Sequence, residues 1–241
     1  SSQNEQDNRL YAPHAKIGMM EPSDAQECLD FTKAAFGLSE RFDIPVIIRM
    51  TTRVCHSKGL VQPTTRNDTP IRKYERNTGK FAMLPATARS RHAIREKLLT
   101  EMEAYACECP YNRVEENGAD IGVISSGIGY QYAKEVFGDT ADFLKLGLTY
   151  PLPRKRMADF AAKYDTLYIV EENDPYLENA VRALGFTHCI GKEKIPVCGE
   201  LNARVVKHAL FGDDDEALYD AGTELPQRPP VLCAGCPHRG F

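Results

Sequence analysis

The sequence has no long hydrophobic run, no secretion signal and little net charge. No stretch approaches the ~20 consecutive apolar residues that a membrane-spanning helix needs. The first nine residues are all polar, which is not the pattern of a signal peptide. A net charge of −4 gives no strong attraction to nucleic acid. We therefore expect a protein that binds neither membranes nor nucleic acid, and eight cysteines without a secretion signal favour free thiols in the cytoplasm.

The common catalytic motifs are also absent. The chain has neither the H-E-x-x-H of zinc proteases nor the G-x-S-x-G of serine hydrolases. Gly127 and Gly129 begin a dinucleotide-binding pattern, but Tyr132 stands where the third glycine belongs. Glu171 and Glu172 follow an apolar strand, and we expect a structural role for them rather than acid–base catalysis. No complete active site emerges from the sequence.

The first segment, residues 1–57, has the pattern of a helix followed by a strand. Ser23 with Gln26 resembles a capping box, so a helix is predicted to begin there and to end near Phe42. One helical face is expected to carry Ala25, Cys28, Leu29, Thr32, Ala35, Phe36 and Ser39. Residues 46–50 are predicted to form a buried strand of a sheet whose earlier strands are absent from the chain.

Residues 58–117 are predicted to form an interdomain linker with one helix, from about residue 88 to residue 107. Between residues 58 and 100 there are ten basic and three acidic residues. This excess of positive charge fits either a solvated linker or a contact with an acidic partner or phosphates.

Residues 118–221 alternate short apolar strands with helices. Strands are predicted near residues 121–124, 143–146 and 167–170. Asp174 and Pro175 are expected to begin one helix, and another is expected over residues 199–211. This alternation predicts an α/β fold, with a parallel sheet covered by helices on both faces.

The chain closes with a proline-rich linker and the cluster Cys233-Ala-Gly-Cys-Pro-His238. Two thiols and an imidazole at this spacing can hold zinc, an iron–sulfur cluster or a redox disulfide, but a four-coordinate metal needs further ligands. The other six cysteines are not placed by sequence to supply them.

Several motifs together resemble one enzyme family, the indolepyruvate:ferredoxin oxidoreductases. The opening Ser-Ser-Gln-Asn-Glu-Gln-Asp-Asn-Arg and the segment from Pro45 to Ser57 resemble the end of a pyrimidine-binding domain in the alpha subunit. Ser125-Ser-Gly-Ile-Gly-Tyr130 and Ile169-Val-Glu-Glu-Asn173 resemble its transketolase C-terminal-like domain. The tail resembles the entry to its diphosphate-binding domain. On this resemblance the domains are 1–57, 58–117, 118–221 and 222–241.

The resemblance implies oxidative decarboxylation of an aryl 2-oxoacid to an acyl-CoA in an anaerobe. The implied cofactors are thiamine diphosphate, Mg and [4Fe-4S] clusters; the implied partners are a beta subunit, ferredoxin and coenzyme A. The opening loop is expected to lie near the cofactor pyrimidine, with donors and acceptors from Ser2, Gln3, Asn4 and Gln6. Cys233 and Cys236 are the implied metal ligands.

The chain also departs from the family pattern. The sequence contains no G-D-G and no ferredoxin-like cysteine repeats, and the cofactor-activating glutamate is expected upstream of Ser1. We therefore expect an internal fragment that mainly serves as a scaffold, is inactive alone and binds no cofactor tightly. The alternatives are a subunit of another 2-oxoacid:ferredoxin oxidoreductase, and a stand-alone α/β binding domain with a zinc-binding tail.

Overall fold

A computed structural model describes residues 6–65, 71 and 73–212, and they form two sheets with helices around them. The strands are β1 (Gly18–Met20), β2 (Val46–Ile48), β3 (Arg113–Glu115), β4 (Ile121–Ser126), β5 (Asp142–Leu146), β6 (Leu148–Tyr150) and β7 (Thr166–Val170). The helices are α1 (Tyr11–Ala15), α2 (Ala25–Phe42), α3 (Thr52–His56), α4 (Thr78–Phe81), α5 (Pro85–Glu108), α6 (Gly127–Phe137), α7 (Arg154–Ala161), α8 (Tyr176–Ala183) and α9 (Ala203–Phe211). A 3-10 turn, Asn8–Leu10, precedes α1.

The larger sheet has the order β3-β5-β4-β7. Strands β5, β4 and β7 are parallel, and β3 is an antiparallel edge strand. Helices α6 and α9 pack through one apolar cluster on one face of this sheet. Helices α7 and α8 pack through a second apolar cluster on the other face. This is the three-layer α/β arrangement that the sequence predicts.

The smaller sheet has the order β2-β1-β6 and joins the first segment to the larger sheet. Strands β1 and β2 are parallel, so β1, α2 and β2 form a complete crossover unit. Strand β1 also pairs with β6, across 128 residues from Met20 to Leu148. The expectation that the strands before α2 are absent from the chain was therefore wrong, because β1 precedes that helix.

Helix α2 differs from its prediction in two respects. Asp24 rather than Ser23 caps it, and the Asp24 carboxylate accepts the backbone N–H of Glu27. The predicted apolar face was also wrong, since Phe36 is 74% exposed. The buried positions are Glu27, Phe31, Ala35, Leu38 and Phe42. They pack against α5 and the small sheet, and that packing selects the face.

Strands β2, β3 and β6 show where short patterns mislead. Strand β2 is an edge strand with only partial burial, not a core strand. Sequence reasoning missed β3 and β6, which have only three residues each. Since β3 belongs to the larger sheet, that sheet includes residues that the sequence places in the linker; the domain limits themselves stay predictions. The predicted linker helix is present as α5.

Candidate functional site

Arg9 is a buried cation at the carboxyl edge of the larger sheet. Its side chain is 1% exposed. It donates from Nε to Asp7 Oδ1 at 2.9 Å and from Nη1 to Glu171 Oε2 at 2.6 Å. It also donates to the carbonyl oxygens of Glu172 and Asp174, and its guanidinium carbon lies 5.1 Å from the centroid of the Tyr176 ring. These bonds fix the segment that follows the opening loop against the end of β7.

At this edge the Glu171 carboxylate accepts several hydrogen bonds. Besides Arg9, its carboxylate accepts the backbone N–H groups of Leu177 and Glu178, at 2.9 and 3.0 Å. Burial raises the pKa of Glu171, against the opposing attraction of Arg9. Through its bonds to Leu177 and Glu178, Glu171 caps helix α8 from outside the helix, because the first amides of a helix have no partner within it.

This capping corrects the sequence-based prediction for α8. Asp174 was expected at the N-cap and Pro175 as the first helical residue, but Pro175 is the N-cap residue and makes no side-chain capping bond. The helix begins one residue later, at Tyr176. Its second and third backbone amides, those of Leu177 and Glu178, therefore donate to the Glu171 carboxylate. The structural role expected for the Glu171–Glu172 pair is present at Glu171.

A second carboxylate, Glu21, joins the first segment to the turn between β4 and α6. Its Oε2 accepts from Ser126 Oγ at 3.1 Å and from Arg49 Nη1 at 3.2 Å, and its Oε1 accepts from Thr149 Oγ1 at 3.0 Å. Gly127 follows Ser126 with φ +50°, and a Cβ there would lie 3.2 Å from Glu21 Oε2. Because Gly127 has no Cβ, this turn leaves room for the buried Glu21 carboxylate.

A third cluster surrounds Glu27 of α2. Its carboxylate accepts from Lys145 Nζ, from Arg113 Nη1 at 2.9 Å and from Ser23 Oγ at 2.8 Å. Lys145 is fully buried, and its ammonium lies 4.9 Å from the centroid of the Phe31 ring. Burial opposes ionisation of Glu27, but the two cations outweigh it and lower the pKa of this carboxyl.

The three clusters give the site its chemical character. Glu171, Glu21 and Glu27 are each paired with a cation. The ion pairs of Glu171 and Glu27, and the hydrogen bond from Ser126 to Glu21, link the first segment to the larger sheet or its edge. Glu27, whose pKa the neighbouring cations lower, is a poor general base, because protonation would break its ion pairs. The arrangement is suited to holding a neighbouring loop in position rather than to proton transfer.

A cavity of about 540 Å³ opens beside this edge. Ligands of parallel sheets bind outside the carboxyl ends of the strands, which is where this cavity lies. Its walls are Gln6, Asp7, Leu10, Tyr11, Asn173, Asp174, Val197 and Cys198. Gln6 is exposed there, so its amide is available as a donor and an acceptor.

The other site residues predicted from sequence lie outside the described residues: Ser2, Gln3, Asn4, Cys233 and Cys236. Within residues 6–65, 71 and 73–212, no group of three or more His, Cys, Asp or Glu residues could hold a metal ion. Of the cofactor-binding residues expected from sequence, Gln6 is therefore the one within the described part of the chain, and it lies at the cavity wall. Cys55 and His56 lie on the short helix α3, and both are exposed.

Sequence reasoning missed Arg9, Glu21, Glu27 and Lys145, the residues on which the site depends. One signal for them was available: Lys145 interrupts the apolar run Phe143-Leu-Lys-Leu146. A lysine inside a buried strand needs a partner. The partner's identity depends on tertiary contacts, because Glu27 is 118 residues away.

No helix in the described ranges is both long enough and apolar enough to span a membrane.

The whole chain is similar in sequence to known proteins. No family model matches the chain. The "Indolepyruvate oxidoreductase subunit IorA" of Methanothermobacter marburgensis is 38% identical over 100% of this chain and 42% of its own length. The subunit of the same name from Archaeoglobus fulgidus is 36% identical over 99% of this chain and 41% of its own length.

A solved structure shares the fold. It is a 2-oxoglutarate:ferredoxin oxidoreductase from Magnetococcus marinus, with a TM-score of 0.56 and 16% sequence identity over 81% of this chain and 42% of that chain. This likeness confirms the predicted α/β fold class. The resemblance of the opening, middle and closing motifs is also confirmed, since the whole chain is similar to indolepyruvate oxidoreductase subunit IorA, of which it spans about two fifths.

Proposed function

We propose that the chain is part of an indolepyruvate:ferredoxin oxidoreductase that converts aryl 2-oxoacids to acyl-CoA, with ferredoxin as the electron acceptor. The observation that carries this proposal is the 38% identity over the full length of the chain to an indolepyruvate oxidoreductase subunit. The complete enzyme would use thiamine diphosphate, Mg and [4Fe-4S] clusters, act with a beta subunit and coenzyme A, and reside in the cytoplasm. Thiamine diphosphate would stabilise the carbanion formed on loss of carbon dioxide.

The role of the described residues in this enzyme is positioning. Arg9 anchors the segment that follows the opening loop to Glu171, and Arg49 links that segment to Glu21 through a bond from Nε to Asn8 Oδ1 of 2.7 Å. A loop anchored in this way keeps Gln6 at the cavity wall. Small displacements of positioning groups reduce rates strongly, so a rigid anchor has catalytic value without touching the reacting atoms.

The test of the activity uses the complete subunit, co-expressed with its partner subunit under anaerobic conditions. Reduction of ferredoxin is measured with indolepyruvate, 2-oxoglutarate or pyruvate, each with and without coenzyme A. We expect indolepyruvate to give the highest kcat/KM and the reaction to require coenzyme A. Faster turnover of 2-oxoglutarate or pyruvate would favour another 2-oxoacid oxidoreductase, and no ferredoxin reduction with any substrate would refute the proposal.

The assignment of Gln6 to cofactor binding has its own test. In Gln6→Ala we expect a higher thiamine diphosphate concentration at half-maximal activity, because an amide at the cavity wall is lost. Gln62→Ala is the matched control, since the Gln62 side chain is exposed and the substitution keeps the backbone N–H that donates to Gln26. Equal cofactor dependence in both variants would remove Gln6 from the site.

Cys233 and Cys236 are proposed to bind an iron–sulfur cluster in the complete enzyme. Thiolates at C-x-x-C spacing are typical cluster ligands. Replacing either with serine should lower the iron content per subunit, whereas Cys198→Ser, at an exposed thiol, should leave it unchanged. Stoichiometric zinc in place of iron, lost in Cys233→Ser, would support the alternative of a binding domain with a zinc tail.

A further inference from the structure

A second cavity, of about 400 Å³, is bounded by helices α5, α7 and α8 and by the residues that follow β6. It shares no lining residue with the cavity beside Gln6. Its volume lies within the range of about 300–1,000 Å³ that is usual for small-ligand pockets. Six of its lining residues are aromatic, proline or leucine: Pro13, Leu99, Tyr150, Pro151, Leu152 and Tyr176. Flat apolar walls of this kind suit an aromatic ring.

Two opposite charges also line this cavity, Glu103 of α5 and Arg154 at the start of α7. Glu103 Oε2 lies 3.9 Å from Arg154 Nη1. This separation is longer than the ~2.7–3.2 Å of an N–H···O hydrogen bond. The two groups therefore attract each other without a hydrogen bond between them, and each can bond to a ligand.

The surroundings of the pair decide which charges a ligand can use. Glu96 also lines the cavity, but its carboxylate is already paired with Lys16 and with His92. Burial raises the pKa of Tyr150, while Arg154 lowers it and Glu103 raises it, so this aromatic residue lies close to both charges of the pair. The cavity thus presents one carboxylate and one guanidinium beside an aromatic wall.

We propose that this cavity binds a free α-amino acid with an aromatic side chain. The ammonium of the ligand donates to Glu103, its carboxylate accepts from Arg154, and its ring lies between the tyrosine and proline walls. The two charges of an amino acid are attached to one carbon, so the zwitterion lies beside the Glu103–Arg154 pair with opposite polarity. Charge-assisted hydrogen bonds at both ends make recognition of the zwitterion specific, because a simple amine or a simple acid satisfies only one of them.

The cavity adjoins the anchor of the opening segment through Tyr176. The Tyr176 ring lies beneath the Arg9 guanidinium, whose carbon is 5.1 Å from the ring centroid. Its hydroxyl donates to the Thr149 carbonyl oxygen at 2.9 Å. A ligand in the cavity therefore packs against a residue that supports Arg9, without entering the cavity beside Gln6. The binding is independent of the activity proposed above.

The test is isothermal titration calorimetry of the complete subunit, together with its partner subunit, with L-tryptophan as the probe. We expect saturable binding, with a Kd about tenfold or more higher in Glu103→Gln and in Arg154→Gln, because each removes a charged hydrogen-bonding partner. Both side chains are partly exposed, at 32% and 68%, so the variants should fold. Glu116→Gln is the matched control and should keep the original Kd, since Glu116 pairs with Lys163 at 2.8 Å and does not line the cavity.

Two analogues test recognition of the zwitterion on the unaltered protein. Tryptamine lacks the carboxylate and indole-3-propionate lacks the ammonium, so each should bind about tenfold or more weakly than L-tryptophan.

Three results would overturn the proposal: no saturable binding, one Kd shared by Glu103→Gln, Arg154→Gln and Glu116→Gln, or tryptamine that binds as tightly as L-tryptophan. Displacement of L-tryptophan by indolepyruvate, with affinity unchanged in both cavity variants, would also overturn it and would place the ligand in a substrate site. Calorimetry requires no turnover, so a failure of ferredoxin reduction in the same samples would count against the proposed activity and not against this site.

Discussion

Replacing Arg9 with methionine tests whether the buried ion-pair cluster holds the opening segment. The substitution preserves much of the side-chain length and removes the cation, which leaves Asp7 and Glu171 buried with no guanidinium between them. Removing one partner of a buried ion pair costs about 3–5 kcal/mol, because the remaining charge is uncompensated. For a chain of this length each kcal/mol lowers the Tm by about 2–4 °C. We therefore expect Arg9→Met to lower the Tm by about 6–20 °C, measured by circular dichroism.

Two further variants make the result specific to charge. Arg204→Met removes an exposed cation from α9 and should shift the Tm by no more than a degree or two, because exposed charges contribute little. Adding Glu171→Gln to Arg9→Met should recover part of the loss, since the amide still accepts hydrogen bonds and carries no charge. A Tm for Arg9→Met equal to that of Arg204→Met would refute the reasoning, as would a double variant less stable than Arg9→Met.

Four other predictions concern packing and the buried pair of Lys145 with Glu27. Lys145→Met should destabilise the fold by about 3–5 kcal/mol in urea unfolding, because it removes the cation nearest to Glu27. The lowered pKa of Glu27 means that this carboxylate stabilises the fold above its usual pKa of 4.5 and that the stability is lost as the pH falls further. Glu27→Gln should therefore lower stability at pH 7 and flatten its decline in acid, and an unchanged acid limb would contradict this. Gly147→Ala should cost about 1–3 kcal/mol, since its Cβ would lie 2.6 Å from the Phe31 ring. Gly37→Ala, where a Cβ in α2 meets nothing within 4 Å, should stabilise by about 0.5–1 kcal/mol.

Sequence patterns predicted the elements whose own residues determine them. Strands β4, β5 and β7 and helix α5 follow from apolar periodicity and local turn residues, and so does the parallel sheet. Helix α9 begins at Ala203 rather than residue 199 because Asn202 caps it, accepting the N–H of Val205. Strands β1 and β6 could not be found in this way, because each has three residues and is stabilised by pairing with the other.

The candidate site was less accessible than the fold for the same reason. Glu171 was recognised as a residue at the carboxyl end of a strand, but its partner Arg9 is 162 residues away. Whether a carboxylate is a base, a cap or half of an ion pair depends on such distant neighbours. The sequence shows which residues are charged, but which of them form ion pairs depends on the tertiary structure.

The pairing of β1 with β6 has a consequence for how the chain can be divided. This pairing and the bonds of Glu21 and Glu27 connect residues 6–56 to the larger sheet without the help of the covalent backbone between α3 and α5. A protease that cuts the chain between α3 and α5 would therefore leave two pieces that remain bound to each other. The same two pieces, encoded as separate polypeptides, should find each other and fold as one body.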